Sequence, residues 1–330
     1  MLKKIAIFCG GPSSEHEVSL SSASTMYKFI DKKKYELYFF YISKKGFCKL
    51  ILASSSTDLT KIKAEAPLVK GLEDLKKKKI FAFLAGIHGE FVEDGRLQGL
   101  LEFFGIKYSG SGVTASSLAM DKYRSALLVK NIEGVLLPKT ELLINNFSFP
   151  KTLKLPVIIK PNSMGSSVGV TIAHTLAEFN TQIEDAHKKY PSQEFVIQEY
   201  FENAIEIQSG TLQKKDGEFL PIPPIEIIPK KNVFFDYDSK YKVGGATEIT
   251  PPIGITKKLS EKIAKISIEL HKLLGLKTYS RNDFLVVNNE IYFLEANTLP
   301  GMTATSLLPQ EAQAIGISFS QLLDFLVENS

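Results

Sequence analysis

The apolar positions of the chain cluster from the start. "KKIAIFCGG" predicts a buried strand running into a glycine turn, "HEVSLSSASTMYKFI" a helix, and "YELYFFYI" the next strand. "IFAFL" predicts a further strand before a loop of glycine and histidine. Alternation of this kind predicts an open α/β sheet for the first third. The chain then turns through "GIKYSGSG" and enters "VTASSLAMDKYRSALLVK", whose pattern predicts one long helix, so the first boundary falls near Gly112.

Beyond that point the pattern changes. "LPVIIKPN" and "SSVGVTIAH" predict strands on either side of a Gly/Ser loop, with a helix over about Leu176 to Lys189. "EFVIQEYF", "IEIQSGTLQ" and "FLPIPPIEIIP" then give a run of strands, and such segregation predicts α+β rather than a continued doubly wound sheet. "KNVFFDYDSKYKVGGATEITPP" has no stable period and is long for a connection, which favours a functional loop. "KKLSEKIAKISIELHKLLG" is amphipathic at helical spacing, and "FSQLLDFLVEN" predicts a closing helix.

Composition narrows the classes. A chain of 330 residues predicts two or three domains. Its 44% hydrophobic and 23% charged residues are those of an ordinary globular protein. The net charge of +4 makes no case for a nucleic-acid partner, although a basic pocket for a small anion stays open. Cys9 and Cys48 lack CxxC spacing, which argues against a disulfide framework and a zinc site. The first apolar run is too short, and too soon broken by glycines, for a signal sequence or a membrane span, so the expected compartment is the cytoplasm.

Chemistry concentrates in "RNDFLVVNNEIYFLEANTLPG". Glu295 and Asn297 are two apart on a predicted strand and share a face. Asp283 joins them only if the hairpin has the right parity. A two-residue loop would set it opposite Leu294; a three-residue loop over 288–290 pairs Val287 with Ile291 and sets Asp283 across from Glu295. The odd-length loop is the expectation. Two carboxylates and an amide oxygen, with no thiol or imidazole nearby, suit Mg²⁺, although acidic residues at strand ends are also commonly solvated.

No GxxxxGK[ST] is present, which excludes a P-loop. "KPNSMGSSVG" instead lies between strands, where backbone amides and the hydroxyls of Ser166 and Ser167 could fold over a polyphosphate, with Lys160 supplying a point charge. "GSGVTA" fits a dinucleotide fingerprint and "HGE" a deaminase motif, but the first lacks a following acidic strand end and the second lacks CxxC.

"GGPSSEHEVSLSS", "HGEFVEDGRLQG", "YSGSGVTASSLAMDK", "KPNSMGSSVGV", "DYDSKY", "RNDF" and "EANTLPGMTATSLLP" together resemble the D-alanine–D-alanine ligase family of the ATP-grasp superfamily, in order and at compatible spacings over nearly the whole chain. The resemblance implies an α/β and α+β chain in which an N-terminal Rossmann-like open parallel sheet, residues 1–111, is followed by a two-lobed ATP-grasp fold, 112–199 and 200–330. It implies ligation of two D-alanines through an acyl phosphate, for peptidoglycan synthesis, with ATP as co-substrate.

Carried over by position, Asp283, Glu295 and Asn297 look like ligands of two Mg²⁺ ions, for which Mn²⁺ could stand in. Lys122 and Lys160 look like phosphate-binding lysines, with Ser166 and Ser167 in the loop that closes over the nucleotide. Glu206 matches the ribose carboxylate, and Glu199, Tyr200, Phe201 and Glu202 the adenine linker, although Glu202 stands where an apolar residue is common. Glu15 would hold the first substrate's ammonium, with His88 near its carboxylate. Ser166 and Tyr241 would bond with Glu15, and Lys240 would face the transferred phosphate. Arg281 and the backbone amide of Gly301 would serve the oxyanion, and Ser306 and the backbone of Leu307 the second carboxylate. The resemblance also implies a homodimer and leaves K⁺ activation open. It suggests no membrane and no nucleic-acid partner. The rivals are another ATP-grasp carboxylate–amine ligase, such as an L-amino-acid dipeptide ligase, and a catalytically silent nucleotide-binding homologue.

Overall fold

The computed structural model describes residues 2–144, 147–229 and 246–330. The first sheet contains β1 (Lys3–Gly10), β2 (Tyr35–Ile42), β3 (Phe47–Leu52), β4 (Ala66–Pro67) and β5 (Phe81–Phe83), in the order β4-β3-β2-β1-β5. β1 runs parallel to β2 and β5, whereas β3 and β4 are antiparallel additions at one edge, entered through the turn at Gly46. The expected parallel sheet is therefore the centre of a mixed one. β1 is buried from Ile5 to Gly10, as a parallel strand covered on both faces must be. Phe8, Phe39, Phe40 and Phe83 fill this core, and burying each contributes on the order of 2 kcal/mol.

Helix α1 (His16–Phe29) turns Ser19, Leu20, Ser22, Ala23 and Met26 onto the sheet. The hydroxyl of Ser19 donates to the Gly86 carbonyl at 2.8 Å and accepts from the Gly10 amide at 3.1 Å, so a polar residue can sit in the core. Helices α2 (Leu68–Lys78) and α3 (Arg96–Phe104) complete this unit.

The long helix expected after Gly112 is two helices, α4 (Val113–Met120) and α5 (Lys122–Val129). Asp121 leaves the helical region at φ −84°, ψ 97°, and its carboxylate caps α5 by accepting from the Arg124 amide at 2.8 Å. Local side-chain capping here outcompetes continuation of the apolar pattern.

The second sheet has β6 (Thr140–Leu143), β7 (Val157–Pro161), β8 (Thr171–Ala173) and β9 (Phe195–Glu199), ordered β6-β9-β7-β8 and antiparallel throughout. Helix α6 (Leu176–Lys189) covers it with Phe179 and Ile183. The strand expected over "SSVGVTIAH" is confined to β8, because Ser166 and Ser167 adopt φ of 52° and 57°, which breaks an extended run.

The third sheet comprises β10 (Ile205–Gln213), β11 (Phe219–Leu220), β12 (Ile225–Pro229), β13 (Ala246–Ile249), β14 (Tyr279–Val287) and β15 (Glu290–Asn297), ordered β13-β12-β10-β14-β15 with β11 on β10. Helix α7 (Lys257–Leu273) packs on it through Ile263, Ile266 and Leu270, and Ala115, Ala119 and Val129 of α4 and α5 share that core.

The hairpin of β14 and β15 corrects one expectation and keeps its consequence. Val287 pairs with Glu290, so the loop is the two residues Asn288 and Asn289, both at positive φ as a type I′ turn requires. The register then shifts between Asp283 and Phe284: Phe284 faces Phe293, but Asp283 faces Glu295. Leu294 is the extra residue of a β-bulge, and it restores the parity that the loop does not supply.

Helices α8 (Leu307–Ala314) and α9 (Phe319–Glu328) return to the first sheet. Phe319 stacks edge-on against Phe29 at 5.3 Å, and Asp324 pairs with Lys34 at 2.6 Å. Among the described residues no helix is long and apolar enough to cross a membrane.

Candidate active site

Two clefts meet at Glu295. One, of about 690 Å³, lies among the loops of the first sheet, the ends of β14 and β15, and the start of α8. The other, of about 610 Å³, lies between the second and third sheets.

At their junction Arg281 grips Asp283 with two bonds, Nε to Oδ1 at 2.8 Å and Nη2 to Oδ2 at 3.1 Å. The Asn297 amide donates to Asp283 Oδ1 at 3.3 Å, and Lys122 pairs with Glu295 at 3.1 Å. Burial works against the Arg281 charge, yet Asp283, Glu295 and Glu311 more than offset it and hold the guanidinium above its usual range. The break at Asp121 explains the reach of Lys122. As the first residue of α5 it bonds the Asn162 carbonyl through its backbone and the Met164 carbonyl through Nζ, at 3.1 and 2.5 Å.

The second cleft collects the other described residues expected to hold a nucleotide except Ser166, which lines the first cleft. Lys160, 7% exposed at the end of β7, donates to Gln198 Oε1 at 2.9 Å. Ser167, Glu199, Tyr200, Phe201, Glu202 and Glu206 all line this cleft. Glu199 also accepts from the Lys139 amide at 3.2 Å, and Phe201 stacks on Tyr292 at 4.6 Å. Glu206 stands opposite Leu285 on β14, two residues from Asp283.

In the first cleft Glu15, His88, Ser166, Gly301, Ser306 and Leu307 converge. His88 is buried, which lowers its pKa against the pull of Glu15, so the ring is neutral near pH 7. Its Nδ1 lies 3.1 Å from the Leu299 carbonyl and must carry the proton; Nε2 then accepts from Ser22 Oγ at 3.1 Å. Ser306 precedes α8 but turns its hydroxyl to Thr303 and does not cap the helix, whose start at Leu307 lines the cleft; a helix N-terminus of this kind can receive an anion.

Four acids or amides in or beside the site were not singled out by the motifs. Glu93, buried and bonded to the Gly89 amide at 2.9 Å, has its carboxyl pushed up to about 8 by burial and then by Glu15. Its signal was an acid before an Asp-Gly turn in "HGEFVEDG". Gln208 and Glu248 line the first cleft, and nothing in their local sequence distinguishes them. Glu311 lies on the buried stripe of α8 with Leu308 and Ala312, a spacing that was readable in the sequence. Lys240 and Tyr241 lie outside the described residues.

The donor set at the junction fits a hard cation. Among the described residues no group of three or more His, Cys, Asp and Glu side chains is placed to hold a metal. Asp283, Glu295 and the Asn297 amide, facing one another across β14 and β15, supply only three oxygen ligands. That number suits Mg²⁺, which keeps waters and takes phosphate oxygens for the remainder of its shell.

Residues 4–111 match the family model described as D-ala D-ala ligase N-terminus, and residues 140–328 the one described as D-ala D-ala ligase C-terminus. A D-alanine–D-alanine ligase of Leptospira biflexa is 37% identical, over 99% of this chain and 98% of the relative. That of Desulfotalea psychrophila is 37% identical, over 98% and 94%. Among solved structures, a D-alanine–D-alanine ligase of Bacillus anthracis complexed with ATP aligns with a TM-score of 0.74 at 30% identity, covering 99% and 96% of the two chains. A D-Ala:D-Ser ligase of Enterococcus faecalis aligns with a TM-score of 0.76 at 28% identity, covering 99% of each.

Proposed function

The chain belongs to the D-alanine–D-alanine ligase family, and from that premise we propose how its two clefts divide the reaction. The protein is an ATP-dependent ligase that joins two D-alanines, a step of peptidoglycan synthesis. A carboxylate is a poor electrophile, so the first D-alanine is phosphorylated by ATP to an acyl phosphate; the amine of the second then attacks, and phosphate leaves.

The observation that supports the division is the membership of Glu295 in both clefts, which makes them adjacent, as a nucleotide side and an amino-acid side would have to be. On the nucleotide side Glu199 to Glu202 take the adenine edge, Glu206 the ribose, and Lys122, Lys160, Ser167 and Lys240 the phosphates, while Ser166, which lines the other cleft, reaches them from the loop that closes over the nucleotide. Asp283, Glu295 and Asn297 would hold two Mg²⁺ ions, or Mn²⁺ in their place, which when bound would neutralise phosphate charge. On the amino-acid side Glu15 takes the first ammonium, with His88 near that substrate's carboxylate. Ser306 and the Leu307 amide take the second carboxylate. Arg281 and the Gly301 amide face the oxyanion that develops as the amine attacks. Tyr241, with Ser166 and Glu15, closes the site and excludes water, to which an acyl phosphate would be lost.

The same reading places the protein in the cytoplasm as a homodimer divided at 111 and 199, with K⁺ as an activator to be tested. The decisive assay is ADP release with ATP, Mg²⁺ and D-alanine, with the dipeptide identified by mass and chirality. Absence of release would sink the enzyme reading. Equal release with L-alanine would favour a broader dipeptide ligase, and a mixed product with D-serine would widen the second site.

A further inference from the structure

Glu311 is a buried acid with no part in the reaction as described. It is 0% exposed, on the face of α8 that packs against β10. Its Oε1 accepts from the Gly210 amide at 2.8 Å. Gly210 needs that acceptor. β12 pairs with β10 only at residues 206–208 and β11 only at 212–213, and the connecting "PIPP" is short of amide groups, so Gly210 falls in a gap of the ladder. Glu311 takes the place of the missing strand.

The fit is close enough to constrain the residue type opposite. A Cβ on Gly210 would stand 2.6 Å from Glu311 Oε2 and 2.3 Å from Leu308 Cδ1, so any larger residue would have to displace these two side chains of α8. Gly210 is also the cross-strand partner of Arg281. One carboxyl group therefore ties the helix that follows Ser306 to the strand position facing Arg281.

We propose that Glu311 is a positioning residue for the acceptor half of the ligation: it pins the start of α8, where the second amino acid's carboxylate is taken, at a fixed distance from Arg281. The inference rests on the reading of Ser306, Leu307 and Arg281 given above. Attack on the acyl carbon requires the amine held within about 3–3.5 Å, a tolerance that a loose helix terminus would exceed. The donor amino acid and ATP are bound by other elements and do not depend on this tie.

The test compares Glu311→Leu, which fills the volume without an acceptor, with Glu311→Gln, which keeps a carbonyl oxygen for Gly210. Dipeptide formation is followed over a wide D-alanine range at saturating ATP to resolve the two D-alanine constants, and the ATP constant is measured separately. Glu311→Leu is expected to raise the acceptor constant roughly tenfold, with donor and ATP constants unchanged, and Glu311→Gln to restore it. An unchanged acceptor constant in Glu311→Leu overturns the proposal. So does a uniform loss across all constants, or failure of Glu311→Leu to fold while folded Gly210→Ala keeps a normal acceptor constant. If wild type forms no dipeptide, the underlying reading fails instead, and the two failures are distinguished.

Discussion

Asp283 and Glu295 face each other across β14 and β15, and each is matched by a cation of the protein, Arg281 at 2.8 Å and Lys122 at 3.1 Å. Leu294 is the unpaired residue between that pair and the pair Phe284–Phe293, a bulge that carries the one-residue shift in register. Deleting Leu294 should leave Asp283 opposite Glu295, because Phe284 already pairs with Phe293 and the next pair then follows in step. Deleting Ala296 should instead turn Asn297 towards the core. ADP release measured against Mg²⁺ concentration is expected to persist in the first variant and vanish in the second; the reverse order would refute the register argument.

That hairpin also shows what could be read from the chain and what could not. Parity required one extra residue between Asp283 and Glu295, and that much was legible. Its location was not, because an extra residue in the loop and one in the strand give the same pairing downstream. Asn288 and Asn289 were the available clue, since both tolerate the positive φ of a two-residue turn. The split at Asp121 was hidden for a related reason: the apolar spacing continues through it, and the capping bond to Arg124 is a local competition that periodicity does not register. Strands such as β7 and helices such as α6 and α7 carry their own pattern and were readable. The pairing of Glu311 with Gly210 joins residues 101 apart in sequence, and no local pattern announces it.

Arg281 pairs with Asp283 and lines the first cleft. If it serves the oxyanion, Arg281→Lys should lower kcat by roughly 10²–10³ while leaving the constant for ATP near that of wild type. Lysine keeps a charge but loses the two-pronged grip on Asp283. A rise in the ATP constant with kcat intact would reassign Arg281 to ground-state binding.

Glu206 lies in the second cleft on β10, where its carboxylate accepts from Gln208 Nε2 at 3.3 Å, and we read it as the ribose ligand. Glu206→Gln removes a charged acceptor for ribose hydroxyls and should raise the ATP constant about tenfold. The effect should disappear when a nucleotide lacking both ribose hydroxyls replaces ATP. An equal penalty with that nucleotide would place Glu206 elsewhere in the cleft.

Glu311 makes a further prediction about stability. Burial pushes its carboxyl from an ordinary 4.5 up to about 8; the Gly210 amide and Arg281 pull it down, and Asp283 adds to the rise. Between these two values the folded chain keeps a proton that the unfolded chain has released. Stability must therefore fall as pH rises through this window and level off above about 8. Glutamine at this position cannot titrate, so it removes that part of the slope while preserving the bond to Gly210. Glu93, whose carboxyl is also pushed up to about 8, contributes to both proteins equally and cancels in the difference. The melting temperature of Glu311→Gln minus that of wild type should accordingly grow from pH 5 to pH 8. A difference that stays constant across this range would mean that Glu311 is already ionised in the fold, held as a partner of Arg281 rather than as a buried acid.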